Sequence, residues 1–116
     1  MDNEKVYSMC FAKVFALLEA KVERKGRSLD ELCAVTGWLT GYSREEIDAA
    51  RASSISYGDF FRQAPAMNPK RELIGGKICG VSIEDISDPL MRDIRRLDKL
   101  CDELAKGRPL EKIMRS

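Results

Sequence analysis

The stretch DPLMRDIRRLDKLCDELAKG, residues 88–107, decides how this chain folds. Asp88 followed by Pro89 is a helix start. The carboxylate can accept a free N–H of the first turn, and proline suits the first helical position, where its missing N–H costs nothing. Gly107 supplies the stop. Between them Leu90, Ile94, Leu97, Cys101 and Leu104 recur at alternating spacings of four and three, the rhythm by which one helix packs on another. The spacing predicts a long helix over 88–106. Its apolar seam packs either on the first helix of the same chain or on a partner. Leu90, Ile94, Leu97, Cys101 and Leu104 are therefore the candidate interface residues of a homodimer or of a complex with another protein.

Upstream, residues 3–25 predict one long helix. Val6, Cys10, Val14, Leu17, Leu18 and Val22 recur at helical spacing, and Met9, Phe11 and Phe15 widen the apolar face. A face that broad belongs to a central helix contacted on several sides, ended by Gly26. Ser28-Leu29-Asp30-Glu31 and Ser43-Arg44-Glu45-Glu46 are capping boxes, in which serine and glutamate satisfy each other's free backbone N–H groups. They open helices reaching Thr40 and Ala52, the first with Leu32, Val35 and Leu39 inward, joined through a tight corner at Gly41-Tyr42. Ser53-Ser54 breaks the pattern. Residues 57–63 predict a short helix carrying Phe60 and Phe61, and Pro65 and Pro69 bracket a non-helical stretch. Leu73-Ile74, Gly75-Gly76 and residues 77–81 predict a small hairpin turning at the glycine pair, or an extended loop. Ser82 is placed to cap a single turn through Ile86, and Pro109 to start a last helix with Leu110, Ile113 and Met114. Lys25-Gly26-Arg27 echoes Lys106-Gly107-Arg108, which the grammar of helix stops explains without a repeat. The expected fold is all-α: a small orthogonal helical bundle of about five to six helices in one domain, residues 1–116, with a short β-hairpin or extended loop near residues 71–81.

Composition narrows function mainly by exclusion. A chain of 116 residues buries about two-thirds of its unfolded surface, enough for one core without disulfide staples. The net charge of +1 carries no bulk excess for binding phosphates, so nucleic acid is not an expected partner unless a local patch provides for it. Histidine is absent, which removes Ser-His-Asp and Cys-His catalysis and most transition-metal sites. No Cys-x-x-Cys pair accompanies Cys10, Cys33, Cys79 and Cys101, and no metal or other cofactor is expected. The charged N-terminus lacks the apolar core of a signal peptide, so the expected location is cytoplasmic, with free thiols. No apolar run approaches the roughly 18 residues of a membrane span.

Three places could carry chemistry. The helical corner over 28–52 has the look of a helix-turn-helix, but Glu45, Glu46 and Asp48 would face phosphates on the entering helix. The stripe Arg92, Arg95, Arg96 and Lys99 interleaves with Asp93, Asp98, Asp102 and Glu103, which predicts an ion-paired, solvated face. In the segment 68–81, Gly75-Gly76-Lys77 and Gly80 could cradle an anion with Arg71, although the spacing matches no phosphate-binding loop. Cys79 is the one thiol in a loop-like setting, and only Lys77 or Arg71 could activate it. Asn68, Arg71, Lys77 and Cys79 are the candidate ligand-binding residues. No catalytic residue is assigned. Trp38, Tyr42, Tyr57, Phe60 and Phe61 are core candidates, one or two of which could serve as interface anchors.

Several stretches together resemble the short bacterial proteins grouped as domain-of-unknown-function family 2200. They are residues 3–7 (NEKVY), 23–27 (ERKGR), 38–43 (WLTGYS), 64–69 (APAMNP), Leu73-Ile74, Cys79-Gly80-Val81, Asp88-Pro89-Leu90-Met91 and Leu97-Asp98-Lys99-Leu100. Gly37 stands where the resemblance leads one to expect a cysteine before the tryptophan, which weakens a thiol role at the corner. The resemblance implies a mainly helical orthogonal bundle and no assigned activity, catalytic residue or binding residue. The expected function is a non-enzymatic interaction module acting on itself or on another protein. Nucleic-acid binding through 28–52 or 92–99, and a small enzyme or anion-binding protein using 68–81, are the alternatives.

Overall fold

A computed structural model of the protein describes residues 3–78 and 80–115. In chain order the elements are α1 (Asn3–Tyr7), α2 (Phe11–Glu23), α3 (Leu29–Thr40), α4 (Arg44–Arg51), α5 (Tyr57–Arg62), a first 3₁₀ turn (Pro69–Leu73), strands β1 (Lys77–Ile78) and β2 (Val81–Ser82), a second 3₁₀ turn (Ile83–Asp85), α6 (Pro89–Ala105) and α7 (Leu110–Ile113). The two strands pair antiparallel, Lys77 with Ser82 and Ile78 with Val81. Everything else is helix or connection, as the capping pattern predicts. Among the described residues no helix is long and apolar enough to cross a membrane.

The long helix α6 forms where expected. Asp88 caps it by accepting the Leu90 N–H at 3.0 Å, and Pro89 takes the first position. It packs on α2 and α3 and is also touched by α5, α7, β1 and the second 3₁₀ turn. Ile94, Leu97, Cys101 and Leu104 are buried within this one chain, and Met91 and Leu100 join them, while Leu90 is half-buried at the rim. The seam is thus spent on the protein's own core, the intramolecular of its two readings.

The first helix departs from expectation. It breaks at residues 8–10 into α1 and α2. Cys10 is extended and forms a single antiparallel bridge with Ser56. The Phe11 N–H donates to Ile55 O at 2.9 Å, and the Tyr57 N–H donates to Met9 O at 2.6 Å. Backbone groups that a continuous helix would pair internally are satisfied instead by a segment some 45 residues later. The break shifts the buried face. Phe11, Phe15 and Val22 are in the core, whereas Leu17 is 67% exposed and Met9 is also exposed. Phe11 is the hub of an aromatic cluster, with ring centroids 4.0 Å from Phe60 and 5.0 Å from Phe15, and Tyr42 stacks on Phe60 at 4.4 Å.

The hairpin also differs in register. The chain reverses between Ile78 and Val81, not at Gly75-Gly76. The glycine pair lies before β1, where Gly76 N–H donates to Glu84 Oε1 at 2.9 Å and Gly76 O accepts from Ile83 N–H at 3.0 Å. Leu73-Ile74 is not a strand: Leu73 ends the first 3₁₀ turn and Ile74 enters the core. Ser82 precedes the second 3₁₀ turn, but its hydroxyl makes no cap.

Both helix stops take the same form. After α2, Gly26 (φ +83°) donates to Glu23 O and Arg27 donates to Val22 O; after α6, Gly107 (φ +88°) donates to Leu104 O and Arg108 to Glu103 O. This pair of bonds defines a Schellman motif, and the left-handed residue in it favours glycine. Arg27 then joins the two ends. Its Nε and Nη2 donate to the Glu31 carboxylate at 3.0 and 2.8 Å, and its Nη1 donates to Leu104 O at 3.2 Å and Arg108 O at 2.6 Å. The same Glu31 closes the capping box of α3 on Ser28. Beyond it, buried Glu103 is held by both terminal nitrogens of Arg115 at 2.8 Å, which secures the end of the chain.

At the opposite end of α6, the Tyr7 hydroxyl donates to Asp88, tying α1 to the α6 cap. That bond and the buried setting of the ring separate the two titrations. Burial, then the bond and charge of Asp88, push Tyr7 up to about 12, while Tyr7 holds the Asp88 carboxyl below its usual range.

Two measurements test this packing. In urea unfolding, Phe11→Ala loses about 3–5 kcal/mol, the range for a fully buried phenylalanine, whereas Leu17→Ala stays within about 0.5 kcal/mol of wild type. A tyrosine whose proton is held more tightly in the folded state contributes fully below its unfolded value near pH 10 and loses that contribution as pH rises towards 12. Tyr42 and Tyr57 are raised by burial as well, so stability falls above about pH 10 through all three tyrosines. Tyr7→Phe should make that fall shallower by about one proton, or ~1.4 kcal/mol per pH unit, in stability measured between pH 10 and 12.

Candidate functional site

Of the candidate ligand-binding residues, Asn68 and Arg71 are engaged in bonds that brace the fold. Asn68 caps the first 3₁₀ turn by accepting the Lys70 N–H at 2.9 Å, and its Nδ2 donates to Trp38 O at 3.1 Å. Its own N–H donates to Leu39 O, and the Ala66 N–H donates to Thr40 O. Residues 66–68 therefore satisfy carbonyls that the end of α3 leaves open. Gly41 lies against this brace: a Cβ there would be 2.8 Å from Ala66 atoms. Arg71 reaches back to Asn68 O at 2.9 Å and across to Asp93 at 3.0 Å. Asn68 and Arg71 are thus brought together by bonds that hold the fold. Lys77 lies apart, its carbonyl accepting from Lys99 Nζ at 3.3 Å, and Cys79 lies outside the described residues.

Neighbouring carboxylates neutralise the arginines of the corner and half of the α6 stripe, Arg92 and Lys99 meeting backbone carbonyls instead. On α6, Arg95 pairs with Asp98 at 3.1 Å, and Arg96 pairs with Asp93 at 2.8 Å and Glu72 at 3.2 Å. At the corner, Arg44 pairs with Asp30 and Asp48, and Arg51 with Asp48 and Glu19. Gly37 is packed close there, since a Cβ would lie 2.9 Å from Tyr42 O, so a cysteine at this position would force the corner apart. Two of the thiols are poor nucleophiles. Cys33 and Cys101 are buried, and desolvation raises both, Cys101 strongly. Among the described residues no three His, Cys, Asp or Glu side chains converge as metal ligands would.

A different site emerges where α2 and α6 end side by side. Lys21, Arg24, Lys25, Asp102, Ala105 and Lys106 line an open cleft of about 840 Å³. Asp102 is its one carboxylate, 3.0 Å from Lys106 Nζ and 3.9 Å from Lys21 Nζ. Arg24 only bends back to Ala20 O at 3.4 Å, and neither it nor Lys25 has a carboxylate partner among the described residues. Basic side chains favour helix C-termini, where backbone carbonyls present partial negative charge. Two such termini, placed together, concentrate four cations around one cleft. Sequence reasoning passed over these residues. Their signal in the sequence is the Lys-Gly-Arg stop occurring twice, and only tertiary packing makes the two stops neighbours.

The model of a family described as "Uncharacterized protein conserved in bacteria (DUF2200)" matches residues 5–115. A crystal structure of the uncharacterized protein SP1917 is 53% identical in sequence, with a TM-score of 0.94 over 98% of this chain and 93% of that one. No curated protein matches.

If Asn68 is a brace, Asn68→Ala should lower stability by about 1–2 kcal/mol, the range for a lost cap with its partner hydrogen bond. Hydrogen exchange should show the Lys70 amide losing protection in the variant while the α6 amides exchange at wild-type rates relative to global unfolding.

Proposed function

The chain belongs to the family of uncharacterized proteins conserved in bacteria (DUF2200), and we propose that it is a non-enzymatic interaction module whose basic cleft between α2 and α6 docks an acidic segment of a partner protein. The observation that carries this reading is the unneutralised charge of Arg24 and Lys25 in a chain whose arginines elsewhere are mostly ion-paired. An open cleft of about 840 Å³ suits an extended polar segment, and its charge steers an acidic one towards it. The lack of histidine and the raised, buried thiols give catalysis little to work with. Self-association through residues 90–104 would require pulling Ile94, Leu97, Cys101 and Leu104 out of the core, so the proposed partner is a different chain.

Fluorescence anisotropy with a labelled hexaglutamate peptide tests the cleft. Saturable binding at low salt is expected, weakening as ionic strength rises because exposed charges are screened. The double variant Arg24→Glu/Lys25→Glu should lose at least about tenfold in affinity, a change of ~1.4 kcal/mol, with its unfolding midpoint retained because both side chains are exposed. Unchanged binding in that variant would remove the cleft from consideration. Tighter binding of a labelled duplex DNA than of the peptide would replace the protein partner with a nucleic acid.

A further inference from the structure

We propose, building on the basic-cleft reading, that the partner segment drawn to the cleft carries a large apolar residue between its acidic ones. It lies along the exposed face of α2, with Leu17 as its apolar contact.

An exposed leucine is by itself ordinary. What matters at Leu17 is its place. It is 67% exposed, the most open large apolar side chain among the described residues. Lys21 stands four residues on and Arg24 seven, so both share the Leu17 face of α2, and both line the cleft. Lys13 stands four residues before Leu17 and is exposed. Ala16 and Ala20, also exposed, flank the leucine with side chains too small to screen it. From Lys13 to Arg24 this face therefore reads cation, leucine, cations, over about 16 Å of helix.

The carboxylates nearby leave this face positive. Glu19 and Glu23 stand two and six positions from Leu17, off the line of the face, and Glu19 reaches Arg51 of α4 at 3.7 Å. On the α6 side of the cleft, Asp102 holds Lys106 at 3.0 Å and lies 3.9 Å from Lys21. An acidic group arriving there meets Asp102, whereas Arg24 and Lys25 on the α2 side have no carboxylate partner among the described residues. Acidic groups are thus steered to the α2 side, where the exposed face leads on to Leu17. Leu17 and Arg24 are about 10 Å apart along the axis, a distance an extended segment covers in about three residues. A segment with acidic groups on both sides of a large apolar one meets Lys13, Leu17 and Arg24 in turn. A lipid surface fits less well, because an interfacial helix buries a whole apolar face and this one offers a single leucine.

Fluorescence anisotropy at one low salt concentration, with labelled Glu-Glu-Phe-Glu-Glu-Glu and its counterpart Glu-Glu-Ser-Glu-Glu-Glu, is the test. The phenylalanine peptide should bind about tenfold more tightly than the serine peptide. Leu17→Ala, whose side chain is outside the core, should erase that advantage so that the two peptides bind alike. Leu73→Ala, which removes another exposed leucine, should keep it. Arg24→Glu/Lys25→Glu should weaken both peptides. Equal affinity of the two peptides for the wild-type protein would overturn the proposal, and the basic cleft would survive that result if both peptides still weaken in the double variant. A phenylalanine advantage that persists in Leu17→Ala, or that vanishes in Leu73→Ala, would overturn it as well. Absence of saturable binding by either peptide would remove the proposal and the cleft reading together. Leu17-dependent sedimentation with phosphatidylserine vesicles, in protein that binds the two peptides alike, would replace the segment with a lipid surface.

Discussion

The structure depends on burying one helix nearly all round. α6 carries Met91, Ile94, Leu97, Leu100, Cys101 and Leu104 inward, and α2, α3, α5, α7, β1 and the second 3₁₀ turn each hide surface against it. Most of these elements are too short to be stable alone, because isolated helices under about 12–15 residues are marginal in water. They exist because α6 gives each an apolar wall. The demand for coverage is so complete that two charged residues of α6 are buried as well. Arg96 and Glu103 are each 4% exposed, and each is tolerated because opposite charges reach it, Asp93 of the same helix and Glu72 for the first and Arg108 and Arg115 for the second.

The ends of α6 are where this core is stitched to the rest. At its start, one carboxylate serves both as helix cap and as acceptor for Tyr7, so the docking of α1 and the beginning of α6 depend on the same group. At its end, Arg27 links the terminal carbonyls of α6 to the capping box of α3. A guanidinium suits this position because its fork offers several donors in fixed directions, two used on a carboxylate and one shared between two carbonyls. A lysine would supply the charge but not that geometry.

The same architecture separates charge that serves the fold from charge left over. The arginines of the corner, and Arg95 and Arg96 of α6, are drawn into pairs with carboxylates one turn away or across the core. The cations at the ends of α2 and α6 are in surplus because both helices finish at the same edge, α2 with Lys21 in its last turn and Arg24 and Lys25 just beyond, α6 with Lys106 as the residue that ends it. The functional reading rests on a leftover of this kind, the unpaired Arg24 and Lys25 in an open cleft.

By itself the sequence determined the local grammar. Ser28, Ser43 and Asp88 act as caps, Gly26, Gly41 and Gly107 as stops, and the spacing of Ile94, Leu97, Cys101 and Leu104 places α6 and its buried face. These features depend on bonds between residues a few positions apart, so neighbouring letters suffice to read them. Tertiary structure decided the rest. It broke the first helix at residues 8–10, where no proline or glycine gives warning, because the backbone there pairs with residues 55–57. It moved the hairpin turn past Gly75-Gly76, because Glu84 and Ile83 claim the Gly76 backbone. It engaged Asn68 and Arg71 in bonds to Trp38 and Asp93, and assembled the basic cleft from two helix ends some 80 positions apart. Such partners are chosen by which surfaces meet when α6 is covered, and no periodicity along the chain records that choice.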